Sequence, residues 1–239
     1  MSDTLTLPVF ELAQTLPGRF RLPARMTVLP LVDGGLALVS PIPIDDALAA
    51  TLASLGEVRF LIAPNLLHHL YFDAAIRRYP RATVLAPPGL AHKRPDLRID
   101  RTLREPLPPA LAESVDVQRI EGALAVDEFV FFHRATQSLV VTDLVFHVLS
   151  PEGWLTGLVL RLVGCHRRFG QSRAWRLFVK DRAAAADSLS RVLAWPFETL
   201  IMAHGDIVHS DSARDARTML AAAVRWVLPV RAALAAGAL

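Results

Sequence analysis

The chain has 239 residues, 52% of them hydrophobic and 21% charged, with a formal net charge of +3. That balance describes a protein able to bury one large core and excludes a disordered or fibrous one. The single cysteine, Cys165, excludes an internal disulfide and a cysteine-built zinc site, fits a reducing compartment, and leaves His and carboxylate as the metal donors.

The opening residues, MSDTLTLPVFELAQTLPGRF, lack the basic start and apolar run of a signal peptide, which points to a cytoplasmic address. A proline-rich lead-in runs to about Pro30, and GGLALVSP then reads as a short buried strand broken at Pro41 and Pro43. Asp45 or Asp46 caps a helix carrying Ala47, Leu48, Leu52 and Leu55, which Gly56 stops. VRFLIAP is an apolar run without alternation, as expected of a strand covered on both faces. A helix over about 72–79 ends at Pro80, and ATVLAPP is the next strand, so the first half has a βαβ rhythm.

Residues 91–113, rich in Pro, Arg and Asp, read as a long surface excursion. EFVFFH and SLVVTDL, separated by a turn at 134–137, are close enough to form an antiparallel hairpin, which makes the sheet mixed. Trp154, Leu155, Leu158, Leu162 and Val163 fall at the spacing of an amphipathic helix, and the RRFGQSRAWR that follows is basic and loop-like. A core helix under a solvated basic loop is expected there, in preference to contact with a membrane surface or partner. The apolar stretch from Trp154 is interrupted by Arg161, so no transmembrane segment is expected. DRAAAADSLSRVLAW is helical up to Pro196, TLIMAHG is a last buried strand, and a final helix over 212–228 stops at Pro229. No internal repeat is present. The pI near 9.6 reflects arginine spread along the chain without aromatic platforms, so no nucleic acid partner is expected.

Polar residues gather where strands end. VRFLIAP runs into Asn65, His68 and His69, SLVVT into Asp143, and TLIMA into His204. Loops leaving the carboxyl ends of strands in an α/β sheet build the ligand crevice, so these exits are candidates to meet. Two or three His with one Asp make a first shell for Zn, Mn or Fe. Taken singly, each has a plainer role: His69 or His204 as a hydrogen-bonded surface residue, and Asp143 as a cap. Ser40 and Ser138 have no recognisable nucleophile context, and Cys165 beside His166 reads as structural.

Together, the phrases SPIPID, APNLLHHLYF, YPRATVLAPPGL, FFHRATQSLVVTDL and IMAHG resemble a branch of uncharacterised bacterial proteins in the metallo-β-lactamase superfamily. The resemblance covers about 28–209. It implies an αββα sandwich of mixed sheets flanked by helices, as a single domain spanning 1–239. The superfamily's His-x-His-x-Asp-His loop falls on 64–69, where Pro64 and Leu66 replace two His and His68 replaces the Asp, leaving His69 as the direct match. Its bridging Asp falls on Asp143 and its last His on His204, while another expected His has no counterpart nearer than His133.

The resemblance thus implies one divalent ion, Zn first and Fe or Mn as alternatives, held by His68, His69, Asp143 and His204. The implied activity is a metal-dependent hydrolase with a mononuclear site, cleaving an ester, amide, thioester or phosphodiester of an unknown small molecule. Asp143, His68 and His133 are its candidate catalytic residues, with His133 or Asn65 orienting substrate. The alternative is a catalytically inactive binding or scaffold protein of the same fold, favoured by the missing signature His. Neither substrate nor oligomeric state is fixed by the sequence.

Overall fold

The computed structural model describes residues 6–16 and 20–228. A hairpin, rather than an irregular lead-in, opens the chain: β1 (Val9–Leu16) pairs antiparallel with β2 (Phe20–Pro30). There follow β3 (Gly35–Val39), α1 (Asp46–Leu55), β4 (Glu57–Ile62), α2 (Phe72–Arg78), β5 (Thr83–Ala86), α3 (Leu90–Lys93) and β6 (Arg101–Thr102). The second half runs α4 (Pro109–Ser114), β7 (Val115–Arg119), β8 (Phe129–His133), β9 (Ser138–Val140), α5 (Trp154–Val163), α6 (Arg173–Phe178), α7 (Arg182–Leu193), β10 (Thr199–Ile201), β11 (Val208–His209) and α8 (Ala216–Val224).

The strands form two mixed sheets, ordered β1-β2-β3-β4-β5-β6 and β11-β10-β9-β8-β7. The chain from β3 to β6 pairs in parallel through helical crossovers, while β8 and β9 make the expected antiparallel hairpin. Strand alternation sorts the core into layers. Ala37, Val39, Phe60 and Ile62 of one sheet meet Phe129, Phe131, Val140 and Ile201 of the other. The alternate residues Leu36, Leu38 and Leu61 turn towards α1 and α2, and Val130, Leu139 and Leu200 turn towards α7 and α8. Strands buried on both faces account for the continuous apolar runs in the sequence. The result is helix, sheet, sheet, helix.

Several elements depart from the sequence expectation. The 91–113 excursion is not purely surface, because Leu97, Leu103 and Leu111 are buried and hold short pieces of structure against the sheets. Part of the expected basic loop is α6, capped by the Ser172 side chain accepting from the Trp175 N–H. The last helix starts at the Asp215 cap rather than near Ser212, and its expected stop at Pro229 lies outside the described residues. In α5 the faces are reversed. Thr156, Gly157 and Leu160 are buried, while Trp154, Leu158 and Leu162 are exposed.

Candidate metal centre

His68, Asp143 and His204 converge. His68 lies in the turns after β4, Asp143 just past β9 and His204 just past β10, the three strand ends the sequence marks. The two Nε2 atoms are 3.2 Å apart, His68 Nε2 is 3.3 Å from Asp143 Oδ2, and His204 Nε2 is 3.3 Å from Asp143 Oδ1.

Each imidazole is fixed from behind. His204 Nδ1 lies 2.6 Å from the Pro23 carbonyl, which can only accept, so Nδ1 carries a proton and Nε2 points into the cluster. That ring also stacks on Phe146, with centroids 5.1 Å apart. His68 Nδ1 meets Ser40 Oγ at 2.7 Å. Burial opposes ionisation of Asp143, but the charge and hydrogen bonds of His68 and His204 hold its carboxyl well below the usual carboxylate range.

Around this trio stand residues that the sequence did not single out for these roles. Asn65 is fully buried and joins two strand ends. Its Nδ2 donates to Asp143 Oδ2 at 2.7 Å and to Thr142 Oγ1 at 2.9 Å, and its Oδ1 accepts the Leu67 and His68 N–H groups, both at 2.8 Å. It is therefore a positioning residue and not a substrate contact. Arg25 on β2 is buried and donates to the carbonyls of Met202 and Gly205, at 2.6 Å for the latter, clamping the His204 loop from both sides. β3 pairs with β2 only over 27–30, which leaves the Pro23–Arg25 edge free to take that loop. Behind Asp143, the buried Glu128 accepts from the Thr142 N–H and hydroxyl and from the Leu144 N–H. Burial, together with the charge of Asp143, pushes its carboxyl up to about 7.

Gly205 has φ +99°, and a Cβ there would lie 2.2 Å from the His147 carbonyl oxygen. Gly205→Ala is expected to cost about 3 kcal/mol or more, through backbone strain and displacement of the His204 loop, measured as a drop in Tm. An unchanged Tm would show that the loop relaxes freely.

Two expected site residues, one of them an expected ligand, lie elsewhere. His69 is turned away from the trio, with Nδ1 3.1 Å from Arg94 Nη1. Burial and the charges of Lys93 and Arg94 hold its imidazole below its ordinary range. Lys93 also donates to the Leu66 carbonyl at 2.6 Å, so α3 fixes the outer side of the turn and only His68 faces inwards. His133, expected to catalyse or orient substrate, is a buried structural residue between the Thr136 hydroxyl and the Pro30 carbonyl, each at 2.9 Å. Cys165 is buried, as expected of a structural thiol, and burial raises it to about 11.

The trio opens into a pocket of about 220 Å³. Leu22, Ile42, Leu67, Leu70 and Tyr71 supply its apolar walls and Gln14 and Ser40 polar positions, and no Lys or Arg is among the described residues lining it.

The donor set fits a cation. A carboxylate oxygen and two imidazole Nε2 atoms meet at one point, and in the tautomer with both rings protonated at Nδ1 all three are lone-pair donors that a cation between them would hold together. Their ligand atoms lie within 4.8 Å of one another, and the far nitrogen of each His is already engaged, as in histidine metal ligands generally.

No protein-family model and no curated protein matches the sequence. Solved structures do match. DIM-1 metallo-β-lactamase superposes with a TM-score of 0.58 at 15% identity, over 94% of this chain and 99% of that one. A metallo-β-lactamase from Pontibacter korlensis gives 0.59 at 12% identity, over 93% and 99%. The metal-soaked Flv1 flavodiiron core from Synechocystis gives 0.58 at 14% identity, over 92% of this chain and 58% of that one. The αββα sandwich described above is the metallo-β-lactamase fold.

Proposed function

We propose, from this fold and donor set, that the chain is a metal-dependent hydrolase with one divalent ion held by His68 Nε2, Asp143 and His204 Nε2. The observation that carries the reading is the convergence of three atoms of metal-ligating type, with the far nitrogen of each His already engaged. Zinc suits two imidazoles and a carboxylate, with iron or manganese as alternatives. Such an ion supplies Lewis acidity at a substrate carbonyl oxygen.

The chain's own residues select the substrate. Apolar walls and the lack of a Lys or Arg among the described lining residues favour an uncharged acyl ester, amide or thioester over a phosphodiester. Asn65 and Ser40 hold the carboxylate and the His68 ring in register, so the site costs little reorganisation when substrate arrives.

Protein prepared without a nickel column is expected to carry about one equivalent of metal, and Asp143→Ala less than about a tenth. Adding metal to the stripped protein at ~100 Kd is expected to stabilise it by about 2.7 kcal/mol. Elemental analysis and melting curves check both. Absent metal with no stabilisation sinks the proposal and leaves the inactive binding protein.

A second reading rests on one contact. Ser40, at φ 55°, places its hydroxyl on His68, whose other nitrogen faces Asp143, the order of hydroxyl, imidazole and carboxylate in acyl-transfer triads. Esterase activity that survives exhaustive chelation and vanishes in Ser40→Ala would select it. Loss on chelation with recovery on metal selects the first.

A further inference from the structure

Residues 154–180 carry Arg161, Arg167, Arg168, Arg173, Arg176 and Lys180 and no acidic side chain. The two helices in this stretch present apolar side chains to water. On α5, Trp154, Leu158 and Leu162 stand one turn apart and are 79%, 43% and 67% exposed. Arg161 falls on the same stripe by helical spacing. The opposite face holds Thr156, Gly157 and Leu160 against the body of the protein.

The surface continues onto α6. Arg173 donates to the Leu162 carbonyl at 3.3 Å, which ties the start of α6 to the end of α5. Leu177, one turn after Arg173, is 74% exposed, and Phe178 is exposed beside it. Single apolar side chains on a surface need no explanation, but an apolar stripe flanked mostly by basic side chains, with Glu152 before its start paired to Arg21, marks an interaction surface.

We propose that α5 and α6 form a docking surface for an anionic lipid bilayer, lying in the interfacial plane. Trp154, Leu158, Leu162 and Leu177 enter the boundary between headgroups and acyl chains, and the arginines meet lipid phosphates. Charge decides against a second copy of the chain, because a two-fold contact through this face sets its cations against themselves. A nucleic acid could stack a base on Trp154 but gains nothing from Leu158, Leu162 and Leu177. Side chains standing this far out from an outward helix face match a deformable partner better than a rigid complementary one. The inference does not depend on the metal reading. The two faces are nevertheless neighbours, because Leu160 and Cys165 pack on Leu22, which lines the pocket beside His68.

Co-sedimentation of the full chain with vesicles tests this. Binding is expected to vesicles of phosphatidylcholine mixed with phosphatidylglycerol, to weaken with salt, and to be absent with phosphatidylcholine alone. Trp154 is the exposed one among the four tryptophans, so the emission should shift to the blue on binding, and not in Trp154→Phe. The exposed double variant Trp154→Ser with Leu162→Ser should keep its Tm and lose at least about tenfold in partition, and Arg161→Gln about fivefold. Failure to sediment with the anionic vesicles, or sedimentation unaffected by the double variant, overturns the proposal. It is equally overturned by retention on duplex DNA without vesicle binding, or by a lipid-free dimer that Trp154→Ser dissociates.

Discussion

Asn65→Ala is expected to lower the unfolding free energy by about 3 kcal/mol and Tm by roughly 6–12 °C. The alanine leaves the Leu67 and His68 N–H groups without their acceptor and removes a donor from Asp143, around a side chain that is itself fully buried. Each lost bond is worth about 1 kcal/mol net, and an unpaired buried donor costs more than that. The same change frees the His68 turn from the β9 exit. Metal affinity should therefore fall by about 10–100-fold, as when other outer supports of metal ligands are removed. Melting curves with and without metal separate the two effects. A variant that melts early but binds metal as tightly as the parent would show that Asn65 holds the fold and not the site.

Glu128 gives the second large effect, and here the sign of the pH dependence is the stronger test. Glu128→Ala strips the acceptor from the Thr142 and Leu144 N–H groups, the Trp175 indole N–H and the Thr142 hydroxyl in the core, at an expected cost of about 3–5 kcal/mol. Glu128→Gln keeps an accepting oxygen and cannot ionise. In the folded chain the Glu128 carboxyl is raised to about 7 from its ordinary 4.5, so the folded state binds the proton more tightly than the unfolded state does. Its contribution is fully present below the ordinary value and is lost as pH rises through the raised one. Between about pH 4.5 and 7 the parent should lose stability relative to Glu128→Gln, by several degrees in Tm. A Tm difference constant over that window would mean that Glu128 is ionised throughout.

Asn65 was within reach of sequence reasoning and Glu128 was not. Asn65 stood out as the first polar residue after an apolar strand, though its part was cast as a substrate contact. Glu128 had no such signal, because an acidic residue before FVFF looks like the solvated start of a strand. Only the packing of β8 against β9 shows that it lies behind Asp143. Arg25 and Pro23 were missed for another reason. Prolines mask the alternation of β2, and the pairing that makes β1 and β2 a hairpin is not local to either strand.

The sequence by itself determined the α/β class with a mixed sheet, the strand ends at which Asp143 and His204 stand, and the restriction of any metal to His and carboxylate. These follow from apolar runs, turn residues and the single cysteine, all of which act locally. Tertiary structure alone decided which member of the His68–His69 pair faces the centre. Neighbouring residues in a turn point in different directions, and the choice rests on Asn65 capping the turn from the core while Lys93 and Arg94 of the α3 end engage it from outside. It decided the orientation of α5 in the same way. Periodicity fixes that a helix has two faces, and what packs against it fixes which one is buried.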